Sequence, residues 1–206
     1  MSSTYLWYAT RASGIVTLVL LTLTMVLGLV TTSRSRARHW PGFAQQELHR
    51  RISIMTVVFL AIHVVTSILD TYVHIGWFAT VVPFASPYRR LWVGVGAIAL
   101  DLMMAVFVSS LLRTHIKPGA WRTIHWLAYA SWPIALVHTF GLGTDAGEHW
   151  VIALGALCVL SVGAALVWRL HASNKRRAML PSEIPDVAPL TRRVATANAR
   201  GGLRDR

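Results

Sequence analysis

Polar and apolar positions in this chain separate into long blocks rather than short alternations. Five apolar runs stand out: Gly14 to Thr31, Ile52 to Leu69, Leu91 to Leu112, Thr123 to Leu142 and Trp150 to Trp168, each with at most one formal charge. At about 1.5 Å of rise per residue, each has the length to cross a hydrocarbon core of about 30 Å. The pattern predicts an all-α integral membrane helical bundle of five spans. Between the second and third runs, Thr71 to Arg90 is apolar in the middle but interrupted by Pro83 and Pro87. That interruption predicts a short outer interfacial or re-entrant segment in place of a sixth span.

Composition strengthens the membrane reading. Of 206 residues, 54% are hydrophobic and only 14% charged, too apolar for an ordinary soluble fold of this length. The first run exceeds a secretory h-region in length and is followed by Ser33-Arg34-Ser35-Arg36 in place of a small-residue cleavage site, so it is expected to stay as a helix. Cys158 is the only cysteine, which rules out an intrachain disulfide and a thiolate metal cluster.

The net charge of +12 is spread loop by loop, which argues against a nucleic-acid partner. Arg34, Arg36, Arg38, Arg50 and Arg51 lie between the first two spans, Arg113, Lys117 and Arg122 after the third, and Arg169 with Lys175, Arg176 and Arg177 after the fifth. Basic loops stay inside, so the expected location is a multi-pass cell-membrane protein with its amino terminus outside and its carboxyl terminus cytoplasmic. Residues 1–170 are then the membrane domain. The stretch from His171 to Arg206, with Pro181, Pro185 and Pro189, is expected to be a basic tail, disordered or bound to the membrane surface.

Histidines supply the candidate chemistry. His49 and His63 lie 14 residues apart on the second run, and His125 and His138 lie 13 apart on the fourth. On an ideal helix His63 is roughly 21 Å from His49 along the axis and about 40° round from it, so both face nearly the same side. The fourth run travels in the same direction, which sets His49 opposite His125 and His63 opposite His138. Thirteen residues leave the fourth-run pair about 140° apart on an ideal helix, and Pro133 between them is the expected source of a phase-correcting kink. A porphyrin iron takes two axial imidazoles from facing helices, and each pair meets that need. Zinc needs further ligands close by and fits poorly. Two stacked haems b are therefore expected. Arg50, Arg51 and Arg122 are candidates for the propionates of an inner haem, with Arg11 or Arg89 and Arg90 for those of an outer one, although basic residues at span ends more commonly serve as topology signals.

Two other positions stand out. Asp101 sits in the middle of the third run, where a carboxyl marks either a proton route, a bond to an imidazole, or a neutral acid bonded to a neighbouring helix. Gly94 and Gly96 allow close approach of a neighbour or a flat ring.

These residues also carry a resemblance. The RASG of Arg11 to Gly14, LHRR followed by His63, the passage PF…YRRLWVGVGAIALDL from Pro83, and WRTIHWLAYASWP…VHTFGLGTD from Trp121 resemble the ferric reductase-like transmembrane domain family. That family includes the membrane domains of ferric reductases and NADPH oxidases and the haem-binding subunit of methionine sulfoxide reductase systems. The resemblance implies bis-histidine b-type haems on His49, His63, His125 and His138, and electron transfer across the membrane. It differs in span number and in the carboxy-terminal flavin and nicotinamide domain that oxidase members carry. The sequence has no GxGxxG fingerprint, so the expected role is the haem-binding subunit of a membrane oxidoreductase. A separate reductase or a membrane quinol would donate, and an extracytoplasmic flavoprotein or metal chelate would accept. A quinone-reactive cytochrome with Asp101 as proton carrier is the nearest rival. A non-redox transporter or structural subunit is the rival from another class.

Overall fold

The computed structural model describes residues 2–32, 42–70 and 75–179. Within them every regular element is a helix: α1 (Ser2–Thr32), α2 (Gly42–Leu69), α3 (Trp77–Val81), α4 (Arg90–Leu111), α5 (Pro118–His125), α6 (Leu127–Leu142) and α7 (His149–Met179). The chain divides into two compact units, Met1–Arg169 and Leu170–Arg206. Four stretches are long and apolar enough to cross a membrane, namely Thr4–Thr31, Gly42–Leu69, Arg90–Leu111 and His149–Asn174.

The fourth expected span differs from its sequence reading. It is divided at Trp126 into α5 and α6, and α6 has only 16 residues. Pro133 lies inside α6 without ending it. The break instead follows His125 directly, where the Trp126 N–H reaches Thr123 O at 3.2 Å and the Tyr129 N–H reaches Trp126 O at 3.0 Å. Such three-residue turns overwind the chain, in the direction that reduces the 13-residue phase mismatch between His125 and His138. A second difference concerns the tail, since His171 to Met179 is helical. Its Ala, Lys, Arg and Met are good helix formers. His39, His74, Arg34, Arg36 and Arg38 lie outside the described residues.

In the first unit α1 pairs with α2, α4 with α6, and α1 also touches α6. Gly14 lies against His63 and Gly28 against His49, so α1 and α2 are antiparallel. The main buried cluster draws Leu21, Met25 and Leu29 from α1, Trp132 from α6, and Cys158 and Ala165 from α7. Trp132 cannot be buried with its indole N–H unpaired at low cost, and it donates to Thr22 Oγ1 at 3.0 Å. Outward faces are apolar: Met55, Val58, Ile62 and Val65 on α2, and Leu157, Leu160 and Val167 on α7, are exposed.

One end of the bundle, the cap end, is covered by α3 and the turn after it. Ile75 and Ala79 are buried with Val93 of α4, while Trp77, Phe78 and Val81 are exposed. Phe84 adopts φ 65°, a left-handed conformation unusual for a bulky residue, and its ring lies against Gly94. Arg90 Nε donates to Phe84 O at 2.6 Å and Arg89 Nη1 donates to Gly141 O at 3.2 Å, so both arginines hold backbone at this end. The other end, the basic end, carries Arg50, Arg51, Arg113, Arg122 and Arg169.

Candidate functional site

The four histidines meet as two pairs. His63 of α2 and His138 of α6 have ring centres 6.4 Å apart with planes at 81°, near the cap end. His49 of α2 and His125 of α5 have centres 6.5 Å apart with planes at 64°, near the basic end. A metal–imidazole bond of about 2.0 Å on each side, added to the distance from ring nitrogen to ring centre, would set two imidazoles that share one metal ion roughly 6.3 Å apart, centre to centre. Both pairs thus have a separation that would admit one metal ion between their rings. Their separation along α2 is roughly 21 Å.

The cap-end pair is oriented by backbone. His63 Nδ1 lies 2.8 Å from Thr10 O, and His138 Nδ1 lies 2.8 Å from Trp92 O. A carbonyl only accepts, so each Nδ1 carries the proton and each Nε2 keeps its lone pair free for a metal. This is the arrangement that fixes a ligand imidazole's tautomer and raises its basicity. The close approach depends on glycine. A Cβ on Gly14 would sit 2.9 Å from His63 Cε1 and Nδ1, and one on Gly96 would sit 2.4 Å from His138 Cε1. Gly94 and Gly96 each receive a flat ring, from Phe84 and His138 respectively.

The basic-end pair repeats part of this plan. Gly28 stands 14 residues after Gly14, as His63 stands 14 after His49, and a Cβ on Gly28 would lie 3.5 Å from His49 Cε1. Thr24 precedes Gly28 by the four residues that separate Thr10 from Gly14. His49 Nδ1 and His125 Nδ1 are both buried without a hydrogen-bond partner. Trp121 stacks on the His125 imidazole at 4.9 Å and 25°, with the Arg113 guanidinium 4.7 Å from the centre of the Trp121 ring. The two pairs share a spacing and differ in how their imidazoles are held.

A cavity at the cap end extends from His63 and His138 to Arg11 and Asp145, walled by Gly14, Gly96, Leu18, Leu100 and Met103. Arg11 pairs with the Asp145 carboxylate and also lies 4.2 Å from the centre of the Trp7 ring. Its side chain is only 19% exposed. The contact between Arg11 and Asp145 joins two residues that the sequence pattern does not link. Arg51 donates to Glu47 on its own helix at 2.7 Å and is exposed, as is Arg122 on α5. Asp101 is exposed on α4 and reaches neither imidazole pair. Among the described residues no three His, Cys, Asp or Glu side chains cluster as ligands for a metal ion.

Residues 5–145 match the family described as Domain of unknown function (DUF8596), and the chain belongs to that family. That span contains all four paired histidines, with Arg11 and Asp145. No curated protein matches the chain. No solved structure matches it either.

Proposed function

We propose that this member of the DUF8596 family carries electrons across a membrane on two b-type haems, one held by His49 and His125 and the other by His63 and His138. The carrying observation is the cap-end pair: two imidazoles 6.4 Å apart, each with Nδ1 on a backbone carbonyl and Nε2 free. A packing role would not require both rings to be held in the tautomer that a metal needs. The likeness of these segments to the ferric reductase-like transmembrane family supports the same reading.

When bound, each haem supplies a one-electron ferric–ferrous couple. The chain's own residues do the rest. Thr10 and Trp92 carbonyls orient the cap-end imidazoles, and Gly14 and Gly96 admit them. Leu18, Leu100 and Met103 make part of the cavity wall apolar. Arg11 brings a nearly buried cation to the cavity mouth, where it can meet a propionate as well as Asp145. In this reading the basic end faces the cytoplasm and receives electrons from a separate reductase or a membrane quinol. The cap end faces outward and passes them to an external flavoprotein or metal chelate. Five spans follow if α5 and α6 cross together.

A pyridine haemochrome assay on the detergent-purified chain tests the proposal, with His63→Ala and His125→Ala alongside. The expected content is two b-type haems per chain, falling to about one in either variant because each removes one of the two histidines that would hold a haem. Protein that takes up no haem, or variants that keep both, would refute the reading.

A further inference from the structure

We infer that the outward face of α4 around Asp101 is a docking surface for a transmembrane helix of another polypeptide, one that presents a cationic side chain at mid-depth. The inference rests on α4 as a membrane span and is independent of the haem reading. Asp101 lies 11 residues from the start of the 22-residue α4, far from both ends. It is exposed, and with Met104, Val108 and Leu111 it forms an outward stripe at the three- and four-residue spacing of a helix-packing seam. The outward faces of α2 and α7 offer hydrocarbon at comparable positions, through Met55, Val58 and Ile62 and through Leu157, Leu160 and Val167.

Hydrocarbon side chains facing outward need only lipid. A mid-span carboxyl is different, because lipid tails offer no hydrogen bond, and charged groups in spans almost always face protein and pair there. Asp101 has no ion pair or side-chain hydrogen bond among the described residues. Charge complementarity therefore selects the occupant. A second copy of this chain does not supply it, since the described spans carry their arginines outside the apolar runs, with Arg11 ahead of Gly14 to Thr31, Arg90 ahead of Leu91 to Leu112 and Arg169 just after Trp150 to Trp168. A symmetric pair about α4 would set carboxyl against carboxyl.

The test uses the full chain in phosphatidylcholine vesicles, labelled at its amino terminus, with acceptor-labelled polyleucine transmembrane peptides bearing either one central arginine or none. Energy transfer should show the arginine peptide associating roughly tenfold more tightly than the plain one. Asp101→Leu should abolish that preference. Asp101→Asn, which keeps the shape and lacks the charge, should lose most of it, and it decides the matter if the leucine variant fails to fold. Equal binding of the two peptides to the native chain would overturn the inference, as would a preference that survives both substitutions. Self-association of the native chain that Asp101→Leu dissolves would overturn it in favour of a second copy.

Discussion

Three glycines face imidazoles at graded distances, and alanine substitution turns that gradient into a stability series. The Cβ added at Gly28 would meet His49 Cε1 at 3.5 Å, at Gly14 it would meet His63 at 2.9 Å, and at Gly96 it would meet His138 at 2.4 Å. Each replacement gains about 1 kcal/mol of helix propensity. Against that, carbon contacts prefer about 3.5–4.0 Å, so Gly28→Ala meets an ordinary contact and keeps its gain. Gly14→Ala is short by about 0.6 Å on that scale, and the His63 ring cannot retreat without leaving Thr10 O. Overpacking costs about 1–3 kcal/mol and a lost hydrogen bond about 1 kcal/mol, which against the propensity gain leaves a net loss of about 1–3 kcal/mol for Gly14→Ala. Gly96→Ala crowds Cε1, Nδ1 and Nε2 of His138 together, at 2.4, 2.5 and 3.0 Å, and belongs at the upper end of that range. A spread of about 2–4 kcal/mol corresponds to roughly 4–16 °C in midpoint for a chain of this size. Thermal unfolding in one detergent, read by circular dichroism, should rank Gly28→Ala highest and Gly96→Ala lowest. A Gly96→Ala variant that melts at or above Gly28→Ala would refute the reasoning that these glycines exist to admit the rings.

Thr22→Val keeps the shape of Thr22 and strands the Trp132 indole N–H in the core, which should cost about 1–3 kcal/mol in the same melts. A larger fluorescence or near-ultraviolet change at Trp132 than elsewhere would locate the loss. For Arg11 and Asp145, a double-mutant cycle with Arg11→Met and Asp145→Asn should return a coupling of about 1 kcal/mol that weakens with salt, because Asp145 is 36% exposed. Additive effects would show that the pair contributes nothing to holding α1 against the turn after α6.

Long apolar blocks made the helical, membrane-compatible architecture legible, because block length is a property of local sequence. The pairing of the histidines was legible too, since spacing and helix direction together fix depth. What spacing could not give was the azimuth of His125 relative to His138. Pro133 drew attention as the breaker, whereas the chain breaks at Trp126, a residue with no turn propensity of its own. Arg11 and Asp145 are 134 residues apart, and no periodicity links two charges in different loops. Gly14 and Gly28 did leave a trace: Thr10-x-x-x-Gly14 and Thr24-x-x-x-Gly28 repeat at the same 14-residue interval as His49 and His63. Matching that interval between two helices is the signal that finds them.

That match makes the lengths of α1 and α2 interdependent. Gly14 and Gly28 act as two notches that receive two teeth, His63 and His49, so α1 is gauged against α2 at both ends at once. Inserting one residue between the notches would rotate the distal one by about 100° and shift it by about 1.5 Å, leaving only one tooth seated. The helices can lengthen or shorten only together. A family member whose α2 histidines stand at a different interval should carry the same change between its α1 glycines, and comparing those two intervals across relatives requires no purified protein.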